Sequence, residues 1–476
     1  MNLAELYAFS PFIVLSATSI VVMLGIAFYR NHVVTNLVTL LGLAVSFLVL
    51  PMVASWIPRQ VTPLIIEDRY AFFYSGLILA STFLTAMLSY DYLEKLPGDP
   101  EEYYLLLILA AFGSVILVAS SHFASFFLGL EILSVSLYAL IAYPRGMTRN
   151  IEAGIKYLVL AGLSSALLLF GMALVYATTG TMEFARLASQ AFDTGGPIFL
   201  GGTALIIAGV GFKLAVVPFH MWTPDVYEGA PAPVTGFIAT VSKGAMFALL
   251  LRYFIGVDVI SHRSLFLVFA VISVASMFVG NLLALLQKNV KRILAYSSIS
   301  HLGYLLVAFL AGGAFRVAAV TYYLVAYFIT TLGAFGVITV LSGKEREAED
   351  IEGYQGLAKE RPWLAAVFTA MLFSLAGIPL TAGFFAKYYV LLAGVGSALW
   401  FLVIIMVINS AIGLYYYLRI IVAMYGHAGE KRHFIEEGMS ITGGFVLFVL
   451  TSLLVWFGVY PGPLVEFIQK TAALLG

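Results

Sequence analysis

Apolar residues run along this chain in long blocks separated by short polar connections. The blocks fall near 10–29, 34–56, 70–90, 103–120, 122–143, 154–178, 198–219, 233–255, 264–286, 292–311, 317–341, 362–392, 397–425 and 440–460. A hydrocarbon core of ~30 Å is crossed by about 20 residues of helix, so each block has spanning length. None shows the ~10-residue alternation of a membrane strand, and a bilayer admits only helices or closed barrels. The pattern therefore predicts an all-α polytopic membrane protein of about 14 transmembrane helices, forming one integral membrane domain over 1–476. The first block has no basic region before it and no small-residue cleavage site after it, and is expected to be a retained span.

Lys and Arg are unevenly shared between the connections. The odd-numbered ones hold thirteen: Arg30, Lys95, Arg145, Arg149, Lys288, Lys291, Arg292, Lys344, Arg346, Lys359, Arg361, Lys431 and Arg432. The even-numbered ones and the tail hold six: Arg59, Arg69, Arg186, Arg263, Arg316 and Lys470. Short basic loops stay on the cytoplasmic side, so both termini are predicted outside, on the periplasmic face of a Gram-negative cell. The longest polar stretch, Gly343 to Arg361 with its K-E-R-E-A-E-D run, reads as a solvated connection between two halves, with a docking site as the alternative.

Composition closes off other classes. At 62% hydrophobic and 11% charged the chain has little left over for a soluble domain, and 25 basic against 25 acidic residues give no electrostatic case for nucleic acid. With no cysteine there is no disulfide, thiolate metal site or Cys-held iron-sulfur cluster. Any electron chemistry must belong to a partner. G-V-G-F-K-L at Gly209 lacks the third glycine of a dinucleotide fingerprint, and no P-loop or G-x-S-x-G is present. No catalytic residue in the covalent sense, no cofactor site and no metal site are expected.

Two spans carry proline at matching positions, F-K-L-A-V-V-P ending at Pro218 and F-S-L-A-G-I-P ending at Pro379. Proline removes a backbone hydrogen bond and breaks a helix, and paired breaks in two halves point to the site of a repeat-built transporter. Coincidence is the alternative, since Leu and Ala are common.

Six basic residues remain inside spans. Arg252 and Arg419 lie near span ends and are expected to snorkel to the interface. The other four are all lysine: Lys156, Lys213, Lys243 and Lys387. Glu131 is the one acid well inside a span and their natural partner. A deeply placed charge costs ~2.5 to 3.5 kcal/mol, and one acid cannot fix four bases as structural ion pairs. Buried lysine, unlike arginine, can exchange its proton near neutral pH, so the set reads as a proton relay. His220, just after Pro218, and His301, in Y-S-S-I-S-H-L-G-Y, are either relay members or buried imidazoles satisfied by neighbours.

Four segments resemble a known family: L-G-L-E-I-L around Glu131, I-E-A-G-I-K-Y-L around Lys156, G-F-K-L-A-V-V-P-F-H-M-W-T-P-D-V-Y-E-G-A-P-A-P-V from Gly211, and L-A-G-I-P-L-T-A-G-F-F-A-K ending at Lys387. They look like the antiporter-like membrane subunits of NADH-quinone oxidoreductase (respiratory complex I), over nearly the whole chain. The long proline-rich segment is shared with subunits L and M and with large subunits of multi-subunit cation/proton antiporters. The absence of a long lateral helix, and lysine at 387 where subunit M carries glutamate, narrow the resemblance to the subunit N branch.

The resemblance implies three N-terminal spans (1–100), two inverted five-helix repeats (101–256, spans four to eight; 262–427, spans nine to thirteen) with spans seven and twelve broken, and a last span (438–476). It implies that Glu131 pairs with Lys213, with Lys156 nearby. Lys243 would join a central axis, Lys387 would be the exit-side group, and His301 would be a bridging residue. Expected partners are other membrane subunits of the complex, including a neighbouring antiporter-like subunit and small membrane subunits, in the bacterial inner membrane. FMN and iron-sulfur clusters would sit in partner subunits, and quinone would be used by the complex. A cation/proton antiporter subunit, a purely structural subunit and a quinone-binding subunit are the rival readings.

Overall fold

The computed structural model describes residues 3–144, 147–188, 196–255, 259, 262–313, 315–343, 347–427 and 440–472. Arg145, Lys344, Arg346, Lys431 and Arg432, assigned to connections by sequence, lie outside them. The spans are α1 (Ser10–Phe28), α2 (His32–Val53), α3 (Arg69–Glu94), α4 (Glu101–Ala119), α5 (Phe123–Ile141), α6 (Thr148–Thr179) and α7 (Pro197–Leu214). A short α8 (Trp222–Gly229) follows, then α9 (Ala232–Phe254), α10 (Arg263–Leu285), α11 (Val290–Leu310) and α12 (Phe315–Leu341). The chain continues as α13 (Pro362–Ala376), α14 (Ala382–Gly396), α15 (Trp400–Tyr425), α16 (Ile441–Val459) and a terminal α17 (Gly462–Ala472). Among the described residues thirteen of these are long and apolar enough to cross a membrane. The twelfth predicted span is the pair α13 and α14, too short singly, which restores fourteen.

A feature the apolar pattern does not reveal is an antiparallel hairpin, β1 (Arg59–Thr62) with β2 (Ile65–Glu67), in the second connection. It leads directly into the N-terminus of α3, where Asp68 accepts from the Ala71 amide at 2.7 Å.

Burial sorts the helices. The apolar window of α9 is wholly buried and those of α11 and α12 are 94% buried, against 33% for α1, α2, α6 and α16. Where the surroundings are as apolar as leucine, a helix gains nothing by hiding its side chains from them, so full enclosure marks the structural axis. Polar side chains concentrate on these three helices, where Lys243, Ser297, Ser298, His301, Thr321, Thr330 and Thr331 are all buried.

Both breaks end a helix in the same way. Ala215 (φ +60°) and Gly377 (φ +86°) adopt left-handed conformations. The Val216 amide reaches back to the Gly211 carbonyl at 3.0 Å, and the Ile378 amide to the Phe373 carbonyl at 3.0 Å. These six-to-one bonds close Schellman turns. Pro218 and Pro379 follow within the breaks, so they prevent resumption of the helix and do not kink it from within.

Of the two arginines expected to snorkel, Arg252 does not. Arg252 is buried, bidentate to Asp68 at 2.8 Å on both nitrogens, and donates to the Val118 carbonyl at 2.9 Å. Burial pushes the Asp68 carboxyl up, yet the adjoining guanidinium outweighs it and holds the group below its usual range. Arg419 closes the last carbonyls of α10 by donating to Leu285 (3.0 Å) and Gln287. The acidic connection faces solvent at Asp350, Glu352, Gln355 and Lys359 but is anchored at Glu347 to Glu349. Ala348 is fully buried, Glu347 accepts from Tyr92, Lys291 and the Ala232 amide, and Glu349 from Arg149 and Asn289.

Candidate proton-relay site

Three of the four lysines lie on one buried polar line. Lys213, in the last turn of α7, donates to Ser134 Oγ on α5 (3.0 Å) and to the Tyr157 hydroxyl on α6 (2.8 Å). Lys243, in α9, donates to Ser298 Oγ on α11 (2.8 Å), which also receives the Tyr327 hydroxyl of α12 (2.8 Å). Lys387, in α14, donates to the Ala376 carbonyl at the end of α13 and to Ser410 Oγ on α15, both at 2.7 Å. A bond from an ionised donor contributes ~1.5 to 3 kcal/mol, so these polar partners offset most of the ~3 kcal/mol of placing one lysine at mid-membrane.

Helix ends supply a further term. Lys213 occupies the C-terminal turn of one interrupted helix, and Lys387 reaches to the C-terminal carbonyl of the other. The unpaired carbonyls there carry the negative end of the helix dipole, which favours a cation within one turn.

Aromatic rings and His301 bridge the lysines. Trp222 lies 4.8 Å from the Tyr157 ring and beneath Lys243 Nζ at 5.8 Å, with the Tyr227 ring 5.0 Å from the same nitrogen. His301 Nδ1 is hydrogen-bonded to the Tyr323 hydroxyl (2.7 Å) and Nε2 to the Tyr417 hydroxyl (3.2 Å). Both imidazole nitrogens are therefore partnered. One small void is lined by His301, Tyr323, Tyr327, Ser374 and Lys387, so it joins the middle of the line to its far end. His220 lies buried in the first break, its Nδ1 without a hydrogen-bond partner among the described residues.

Two expected placements change. Glu131 is half-buried and accepts from Ser165, and among the described residues it makes no direct ion pair with Lys213. One turn along α5, Ser134 takes the Lys213 ammonium instead. Lys156 is not an unpaired buried lysine. Its side chain is 45% exposed and bound to Glu152 (2.8 Å) and Asp225 (3.0 Å). Successive helical residues point about 100° apart, so Tyr157 faces the line while Lys156 faces away. The partners that sequence reading did not single out are the hydroxyls of Ser134, Tyr157, Ser298, Tyr327 and Ser410; of these Ser298 lies in the polar run before His301, and the others carry no local pattern.

Comparison with known proteins agrees with this architecture. Residues 120–413 match the family described as NADH:quinone oxidoreductase/Mrp antiporter, TM, which defines the class as antiporter-like membrane subunits. The chain is 52% identical to NADH-quinone oxidoreductase subunit N of Nitrosospira multiformis over 98% of this chain and 96% of that one. It superposes on a chain of respiratory complex I from Thermus thermophilus with TM-score 0.83 and 31% identity, covering 96% and 98% of the two chains. A chain of the Mrp complex from Dietzia sp. shares the fold, with TM-score 0.86 at 21% identity over 100% of this chain and 98% of that one. The chain belongs to the NADH-quinone oxidoreductase subunit N family of integral, multi-pass membrane proteins.

Proposed function

We propose that this chain is the proton-translocating antiporter-like subunit N of an NADH-quinone oxidoreductase, and that Lys213, Lys243, His301 and Lys387 carry the protons. The observation that carries the reading is the buried line itself: three lysines, each held by hydroxyl or carbonyl oxygens rather than by a carboxylate. A lysine fixed by neutral oxygens can lose its proton without leaving an unpaired anion behind. The chain acts as a non-redox translocase subunit of the enzyme, since with no cysteine it supplies no thiolate for iron-sulfur clusters. FMN, clusters and quinone chemistry then belong to partner subunits, among them a neighbouring antiporter-like subunit and small membrane subunits, in the bacterial inner membrane with both termini outside. Segments 101–256 and 262–427 serve as the two repeats, each with one interrupted span.

The drive is electrostatic. Glu131 stands one helical turn from the Ser134 hydroxyl that holds Lys213, near enough for its charge to favour the ammonium and near enough for a rearrangement to draw it away. Withdrawal releases the proton toward Lys243 and Lys387, and return of the carboxylate reloads Lys213. A pK unit is ~1.36 kcal/mol and a unit charge against 100 mV costs ~2.3 kcal/mol, so swings of a few units suffice. His220 is placed to relay through the first break.

The test is Lys213→Ala in the assembled enzyme. NADH-driven quinone reduction should persist in uncoupled membranes while proton pumping is lost or strongly reduced. Normal pumping would remove Lys213 from the path, and sodium-dependent proton exchange in vesicles without redox substrate would favour the cation-antiporter reading instead.

A further inference from the structure

Helix α8, Trp222–Gly229, is an eight-residue rod with a non-helical joint at each end, the break from Ala215 to Met221 before it and extended Ala230–Pro231 after it. Its two sides do different things. Asp225 and Glu228, three residues apart and so on one face, are held by a surface ion cluster. Arg292 bonds Asp225 (2.9 Å) and Glu228 (2.6 Å), Arg149 joins Glu228 to Glu349, and Lys156 holds Asp225 (3.0 Å). The other side carries Trp222 and Tyr227, both buried. Trp222 Nε1 donates to the Phe212 carbonyl at 2.9 Å, one residue before Lys213. Its ring lies against Tyr157, the hydroxyl partner of Lys213, and with Tyr227 it covers Lys243.

We propose that α8 is a gate, held shut by the surface cluster, with Glu228 and Arg292 as positioning residues that keep Trp222 and Tyr227 over the two inner lysines. This rests on the reading of the lysine line as a proton path. The cluster draws on the starts of α6 and α11 and on the described part of the connection before α13, so those segments lie on one side of the membrane and the gate closes toward that side. Each bridge is partly exposed, the Arg149 side chain 47% and that of Asp225 39%, and the bridges share members in one network, so loss of a shared member such as Glu228 or Arg292 loosens the group as a set. Buried Lys291 donates to the Glu228 (3.0 Å) and Ala230 (2.6 Å) carbonyls and pins the second joint, so once the cluster lets go the rod swings about that end, and the movement lifts Trp222 off the partner of Lys213 and off Lys243. The outer charges and the inner lysines are thereby coupled through one rigid element with two positions.

The chain has no cysteine, so a single introduced thiol reports without background from this subunit. Thr223 is fully buried, its hydroxyl makes no hydrogen bond among the described residues, and it lies between Trp222 and Tyr227 around the helix. In the assembled complex in sealed vesicles, Thr223→Cys should react slowly with a membrane-impermeant maleimide from either side. Adding Glu228→Gln should speed labelling at least tenfold from the side that bears the cluster, and Arg292→Gln should do the same. Glu228→Asp, which keeps the charge, should restore protection. Thr39→Cys, equally buried but in α2, should stay protected throughout.

Unchanged protection of Thr223→Cys in an assembled Glu228→Gln complex would overturn the gate. So would fast labelling with the cluster intact, or equal exposure of Thr39→Cys. Arg292→Gln decides the matter if Glu228→Gln does not assemble. Labelling reads the position of α8 and no proton, so normal pumping by Lys213→Ala would refute the proton path and leave this result to stand or fall separately.

Discussion

The two helix breaks begin from one motif and reach opposite designs. At the first, lysine lies inside the motif, F-K-L-A, on the helix that enters the break, and its partners are hydroxyls on two other spans. At the second, the matching residue is Ser374, and the lysine lies on the helix that leaves the break and reaches back to the entering helix's last carbonyl. Ser374 instead ties the break together, meeting Thr330 Oγ1 at 3.0 Å and accepting the Gly383 amide at 3.0 Å. Both broken helices thus place a cation at the negative end of a helix, through hydroxyls at the first break and through a helix-end carbonyl at the second. The first break shares its lysine with α5 and α6 and continues into α8. The second shares its lysine with α15 and its serine with α12.

The comparison can be broken most forcefully at the lysines. Lys387→Ala should reduce proton pumping by an order of magnitude or more in assembled enzyme, as Lys213→Ala should, despite the different scaffolds. A normal proton yield per NADH in Lys387→Ala would show that only the first break works. Next in size is Gly383→Ala. A Cβ there would stand 1.8 Å from the Ser374 carbonyl oxygen, which is backbone and cannot step aside, so the subunit should fail to assemble or lose ~3 kcal/mol or more of stability. Blue-native gels and thermal inactivation would show it.

Smaller effects should have opposite signs at the two helix ends. Gly377→Ala would place a side chain at φ +86° and 2.7 Å from Lys387 Cδ, costing ~1 to 3 kcal/mol and displacing the ammonium. Ala215→Gly would relieve the same left-handed conformation, and should be neutral or stabilising by about 0.5 to 1 kcal/mol with pumping intact. A loss of heat stability in Ala215→Gly would mean that the alanine methyl, fully buried here, matters more than the backbone.

Much of this was legible from local pattern alone. Fourteen apolar blocks, two motif-matched breaks and three buried lysines follow from span length, proline chemistry and the rarity of charge in hydrocarbon. What escaped is what depends on distant residues meeting. Arg252 looks like an interfacial residue until Asp68, at the foot of an unpredicted hairpin, is placed beside it. Lys156 looks buried by position in its block, yet helix rotation turns it to Asp225, a residue of α8. The family resemblance implies that Glu131 and Lys213 pair directly, and here each finds a serine instead, Ser165 and Ser134. The acidic run reads as solvent-facing because nothing local announces that Lys291 and Arg149 await it.

Glu347 binds across the whole chain order. Its carboxylate receives Tyr92 from α3 (2.6 Å), the Ala232 amide at the start of α9 (2.8 Å) and the wholly buried Lys291 of α11. All three are made before it during synthesis. Until the chain has grown past the eleventh block, Lys291 has only the Glu228 and Ala230 carbonyls, and the Ala232 amide at the start of α9 lacks its carboxylate acceptor. Glu347 is thus the last-made member of the set that ties the starts of α9 and α11 to α3.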